Sequence, residues 1–299
     1  MRSKALVHKF LGHADFVKAV ACVTLSTTSD SQLSGNSGSS DKSQSGTLQL
    51  LASGSADGAI IVWNAATEEI LQKLRGHARG VQDLLVWPST TPAPITTTTT
   101  TTIITAAAAA AGEPERAAAL SSSSAVLLSA GSEREIKRWL LEYEPVSKTV
   151  RGRLLGEALL FHETSVYRMR LSGPRGPDEQ DQDQDQNQDA EQEADVGAGG
   201  GWELYTASAD KSVAVIRGMG PLRGEGRVSR RLDHPDFVRD VLLAVRDDDY
   251  YPGHMQFVVT ACRDEDIRVW NNPGEVSSSS SSSSSDAWFV SSWGTGELI

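Results

Sequence analysis

Cysteine is scarce in this sequence, with only Cys22 and Cys262 among 299 residues. Two thiols so far apart cannot build the disulfide framework of a small secreted domain. No N-x-[ST] glycosylation acceptor occurs either. Long hydrophobic runs are missing as well. Met1 to Phe10 alternates charged and apolar side chains and lacks the continuous apolar core of a signal peptide. The most apolar stretch outside the repeated units, Thr102 to Ala111, is alanine-rich and falls far short of a membrane span. A reducing, cytoplasmic or nuclear setting is therefore expected, with no membrane partner.

Basic charge is in short supply too. The net charge is −11, but nine acidic residues and no basic ones lie between Asp178 and Asp195. Without them, 30 acidic residues face 28 basic ones, so the body is close to neutral and offers no broad face to nucleic acid. The acidic tract itself reads as a solvated spacer rather than a site for a basic partner. Arg223, Arg227, Arg230 and Arg231 form a short cluster without interleaved aromatics, which suits an exposed connection better than a phosphate site. No Cys-x-x-Cys pair, Walker loop or dinucleotide fingerprint is present, and His8 and His254 read as surface histidines. Neither a metal, a cofactor nor a small-molecule substrate is expected.

What the sequence does have is internal repetition, which outranks other fold signals. Four units share one layout. The first has Gly12-His13, then Leu51 to Gly58, then Ile60-Ile61-Val62-Trp63. The second has Gly76-His77, Val126 to Gly131 and Ile136 to Trp139. The third has His162, Leu204 to Asp210 and Val213 to Ile216, and the fourth has His234, Val258 to Asp264 and Ile267 to Trp270. Four residues after each histidine stand Val17, Val81, Val166 and Val238. Seven residues after it stand Val20, Leu84, Met169 and Val241. The runs are short, apolar or β-branched, and separated by turn residues, as antiparallel strands require.

The glycine-histidine pair, the serine-x-aspartate turn and the tryptophan six residues beyond the aspartate resemble the WD-repeat (WD40) family. That resemblance implies an all-β propeller of about four recognisable four-stranded blades over residues 1–271, in units of about 12–75, 76–160, 161–232 and 233–271. It further implies a hydrogen-bonded set of histidine, strand-b serine, turn acid and tryptophan in each blade, because buried polar groups need partners. His13, Ser55, Asp57 and Trp63 make the complete set. The second unit has His77 and Trp139, with Gly131 and Glu133 in the serine and acid places. The third keeps His162, Ser208 and Asp210 but has Ile216 for the tryptophan, and the fourth has His234, Asp264 and Trp270 with Cys262 for the serine. Only the first blade is then expected to be fully networked, giving a modestly stable propeller. His13, Ser55 and Asp57 are also the ingredients of a hydrolase, but Ser53 to Gly58 is not a nucleophile elbow, and the structural role accounts for Trp63 as well.

The steps between successive histidines are 64, 85 and 72 residues, against about 40–45 for an ordinary unit. The excess lies in 26–46, 88–124 and 173–201, low-complexity stretches expected to be disordered. All three fall between the first and second strands of their blades, and the geometry that the resemblance implies would put them on one face and leave the other clear. Residues 4–11 resemble an outer strand belonging to another blade, and 272–299 reads as a serine-rich tail with a possible terminal strand. Four blades are fewer than the seven usual in such a family. A truncated propeller is the preferred explanation, beside a small ring closed by residues 5–11 or blades supplied by a partner.

A rigid frame presenting many loop ends suits protein binding rather than catalysis. The expected role is a non-catalytic interaction scaffold or adaptor subunit whose partners are other proteins. Phe16, Lys18, Gln82, Tyr167, Phe237, Arg239 and Arg263 are the candidate contacts on the clear face, with Ala56, Ser132 and Ala209 beside them. A faint likeness of Gly12 to Val23 and the blade after it to ubiquitin-binding propellers of the phospholipase-activating-protein type suggests a ubiquitin-binding adaptor. A non-catalytic subunit of an RNA-modifying enzyme is the other alternative.

Overall fold

The computed structural model describes residues 8–27, 46–88, 123–173, 202–246, 255–271 and 289–294. They form sixteen strands and, among the described residues, no helix. The first blade is β1 (Val17–Ser26), β2 (Thr47–Ser55), β3 (Ala59–Asn64) and β4 (Ile70–Arg75). The second is β5 (Val81–Trp87), β6 (Ser124–Gly131), β7 (Glu135–Glu144) and β8 (Thr149–Leu160). The third is β9 (Val166–Ser172), β10 (Glu203–Ser208), β11 (Ser212–Arg217) and β12 (Arg227–Asp233), and the fourth is β13 (Val238–Arg246), β14 (Met255–Cys262), β15 (Asp266–Asn271) and β16 (Phe289–Gly294). Each blade is one antiparallel sheet whose strands pair in chain order. The result is a four-bladed propeller arrangement.

Side-chain alternation sets what fills it, because successive residues of a strand point to opposite faces. In β1, Ala19, Val23 and Leu25 turn inward toward the second blade, while Val20, Cys22 and Thr24 turn the other way. Three apolar clusters result, each filling the seam between consecutive blades: first with second, second with third, third with fourth. Trp87, Leu128, Ile136, Met169 and Ile216 meet in the middle seam.

The last sheet takes its fourth strand from β16, beyond the residue-271 limit of the expected repeat region, while residues 8–11 form no strand. Residues 10–12 lie instead over the first blade, with Phe10 edge-on to Trp63 at 5.4 Å between ring centroids. The low-complexity stretches do connect first to second strands (β1 to β2, β5 to β6, β9 to β10). The expectation of disorder there, the acidic-glutamine tract and the residues around His254 lie almost wholly outside the described residues, as does the chain end after Gly294.

Inside each blade the polar chain differs from expectation in one member. The hydroxyl between histidine and tryptophan is Ser53, not Ser55. His13 Nε2 lies 2.8 Å from Ser53 Oγ, and the Trp63 indole N–H donates to the same oxygen at 2.8 Å. The second blade repeats this with His77, Ser129 and Trp139, the indole N–H reaching Ser129 at 2.8 Å. The fourth does so with His234, Thr260 and Trp270. The third joins His162 to Thr206 at 2.7 Å, where Ile216 offers no donor. Ser55 has a different job: its hydroxyl donates to the Asp15 carbonyl and accepts the Asp57 N–H, pinning the turn.

The expectation that only the first blade is fully networked is thus corrected. In three blades the other histidine nitrogen meets an acid: His13 with Asp57 at 3.4 Å, His77 with Glu133, and His162 with Asp210 at 2.7 Å. Only the fourth breaks the link. There Arg268 draws Asp264 away at 2.7 Å, and His234 Nδ1 donates to the Leu232 carbonyl instead.

Gly131 and Glu133, which look like two independent departures, compensate each other. A Cβ on Gly131 would stand 2.6 Å from the Glu133 carboxylate, so the longer acid occupies space that a serine side chain fills in the first blade. Gly131→Ser is therefore expected to destabilise by about 1–3 kcal/mol. Adding Glu133→Asp should recover most of that loss, a coupling of about 1 kcal/mol or more in urea unfolding. Strict additivity would contradict the arrangement.

The acids also set a pH dependence. Burial raises Asp57, Glu133 and Asp210, but their histidine contacts and the backbone N–H groups they accept outweigh it, and all three lie below the usual carboxylate range. A carboxyl depressed in the native state adds stability that is full above its unfolded value of about 4 and lost as pH falls through its native one. Burial depresses His234 as well, so the unfolded imidazole takes up a proton below about pH 6.5 that the native one does not. The melting temperature should drop on acidification below pH 6.5 and more steeply below 4, and Asp210→Asn should flatten the acid limb. Calorimetry between pH 7 and 3 checks both.

Candidate protein-interaction face

The face opposite the first-to-second-strand connections is built by two kinds of short loop. Each turn between the second and third strands bonds back to the loop that opens its own blade. Ala56 N–H donates to the Phe16 carbonyl, Ser132 to Gly80, Ala209 to Ser165 and Arg263 to Phe237, all at 2.9–3.0 Å. The fourth residue of every turn is left-handed: Gly58 (φ 78°), Arg134 (69°), Lys211 (69°) and Glu265 (71°). Glycine adopts this freely, whereas the other three carry the Cβ penalty of that region. At Gly80 the approach is closest, since an added Cβ would lie 2.9 Å from the Ala56 Cα of the neighbouring blade.

The sequence-derived contact residues gather on this face and run from blade to blade. Lys18 donates to Gln82 across the first seam at 3.3 Å, and Gln82 bonds Ser132 at 2.5 Å. Ser165 crosses the second seam to the Ser132 carbonyl at 2.8 Å. Across the third, the Arg239 guanidinium lies 4.6 Å from the centre of the Tyr167 ring, and within the fourth blade Arg263 lies 5.5 Å from that of Phe237. Phe16 stands apart, exposed in the loop just before β1.

Three charged residues at the heart of the frame were not singled out from the sequence. Six residues after the histidines of the second, third and fourth blades stand Asp83, Arg168 and Asp240. Arg168 reaches both carboxylates, Asp83 at 3.2 Å and Asp240 at 3.1 Å, and Arg170 supports them at 3.9 and 3.7 Å. Burial pushes the Asp83 carboxyl up, against the pull of the Met169 N–H at 2.7 Å and the two guanidinium groups. The alternation of sign at one offset was the available signal.

The serine-histidine-acid geometry does occur, with Ser53 rather than Ser55 on His13. Ser53 is nevertheless buried and its oxygen is held by Trp63. A nucleophile so enclosed meets no substrate. Among the described residues no group of three or more His, Cys, Asp or Glu side chains is placed to hold a metal ion.

Comparison with known proteins bears on the family. An uncharacterized WD repeat-containing protein of Schizosaccharomyces pombe is 26% identical over 227 residues, 74% of this chain. Together with the recurring histidine, acid and tryptophan, that makes the blades similar to WD repeats. The chain spans 40% of the yeast relative's length, and no family model matches it. Two computationally designed proteins of known structure, Ika8 and Ika4, superpose on 88% of the chain with TM-scores of 0.41 and 0.42 at 15% and 16% identity. That covers 48% and 95% of their own chains, at a likeness too low to bear on function.

In this propeller the charged bridge spans three blades, so its loss should be felt globally. Arg168→Met leaves the buried Asp83 with a weaker partner and is expected to cost about 1–3 kcal/mol. Asp83→Asn in the same chain should return part of that. Chemical denaturation of the single and double variants measures it, and an Arg168 variant as stable as the parent would count against the bridge.

Proposed function

We propose that this WD-repeat chain is a non-catalytic protein-interaction scaffold, an adaptor working inside the cell, that takes its partner on the face bearing Tyr167, Phe237, Arg239 and Arg263. A general scaffold role fits a WD-repeat relative. The observation carrying the finer reading is the pair of arginine–aromatic stacks on one edge of that face, Arg239 on Tyr167 and Arg263 on Phe237. Arginine and large aromatics dominate binding energy at protein interfaces. Arg239 and Tyr167 are held across a seam rather than on a free loop, which lowers the entropy lost on binding. Lys18, Gln82 and the exposed Phe16 extend the surface toward the first blade.

The test is affinity capture with the chain immobilised, followed by titration of each retained protein. Arg239→Glu with Arg263→Glu should weaken a true partner at least tenfold, roughly the 1.4 kcal/mol or more expected of an anchor. Val146→Glu, at an exposed site on the connection between β7 and β8, should change nothing. Equal loss in both variants, or in neither, would defeat the assignment. Immobilised ubiquitin, run in parallel, tests the ubiquitin-binding adaptor directly.

A further inference from the structure

The three seams are built alike. Each joins the trailing face of one blade to the leading face of the next. The leading face carries the valine four residues after the histidine and the apolar residue seven after it. Val81, Val166 and Val238 are fully buried, and Leu84, Met169 and Val241 are at most 6% exposed. Their counterparts in the first blade, Val17 and Val20, are 51% and 64% exposed. The trailing face carries the residue three after the turn acid. Ile60, Ile136 and Val213 are fully buried, whereas Ile267 of the fourth blade is 48% exposed and Leu242, on β13 of the same sheet, is exposed too. Among the described residues no apolar cluster joins the fourth blade to the first. Residues 10–12 cover Trp63 only at the outer margin of the first blade, which leaves the part near β1 open.

One leading face and one trailing face are thus left over, the two halves of a fourth seam. We infer that they receive a second copy of this chain, head to tail, with Val17 and Val20 of one copy against Leu242 and Ile267 of the other. The occupant follows from the repetition. A blade of this same build is what each of these faces contacts wherever it is covered, and a second copy carries both complements at once. Such a contact joins unlike surfaces, so it is heterologous rather than self-complementary. It uses surfaces other than the arginine–aromatic edge, so this inference and the proposed function fail separately.

The test is sedimentation by ultracentrifugation of the 299-residue chain from about 1 to 300 μM, with light scattering as a second readout. The parent chain should associate as concentration rises. Val20→Glu and Ile267→Glu, both at positions open to solvent in the single chain, should each weaken association at least tenfold while leaving circular dichroism and melting unchanged. Mixing the two variants is decisive, because one still has a sound trailing face and the other a sound leading face. A one-to-one pair should reappear in the mixture and grow no further. A parent chain that stays single throughout, association untouched by either glutamate, or a mixture that fails to pair would each overturn the inference; the first result would assign these faces to a different protein.

Discussion

A buried imidazole with both nitrogens committed is the constraint around which each blade is organised. On one side it meets a hydroxyl that also accepts an indole N–H in three of the blades. On the other it meets an acid or, in the last blade, a backbone carbonyl. Leaving one such group without a partner costs about 1–3 kcal/mol. The set therefore holds the second and third strands in one register and ties the loop before the first strand to the turn beyond the second. Variation is absorbed without opening the chain of contacts. A longer acid comes with a missing side chain at Gly131, and a diverted acid in the fourth blade comes with a carbonyl acceptor from Leu232.

Between blades the forces change character. The seams are apolar over most of their extent, so they specify proximity more than orientation. Polar contacts near the axis and on the loop face add direction: Asp83 to Arg168 to Asp240 through three blades, and Lys18 to Gln82 to Ser132 along the rim. The side chains best suited to hold a partner also take part in this cross-seam contact, as with Arg239 and Tyr167. Under the proposed function, recognition surface and frame share these atoms.

Much of this could be read from residue order. The histidine, acid and tryptophan stations are fixed offsets, and the offsets survived every insertion because the insertions enter on the opposite side. The choice between Ser53 and Ser55 was harder. Both point to the same face of β2, so alternation cannot separate them. Register does, since Ser53 pairs with Ile61, two residues short of Trp63. A hydroxyl four residues before the acid recurs as Ser53, Ser129, Thr206 and Thr260, whereas the place two before it reads serine, glycine, serine and cysteine. Periodicity favoured the former. Contacts between sheets were not legible in the same way. Asp83 and Arg168 are distant in sequence, and only the stacking of their blades makes them neighbours.

The left-handed stations of the four turns have a consequence for individuality. One is glycine and three are Arg134, Lys211 and Glu265, each accepting backbone strain in the same conformation. Their Cα–Cβ bonds leave the frame at equivalent angles, like numbered hooks on a wheel, yet one hook is bare, two are cationic and one is anionic. The turns thus repeat one backbone shape from blade to blade while the charge they present changes, so position along the rim is marked by chemistry and not by form.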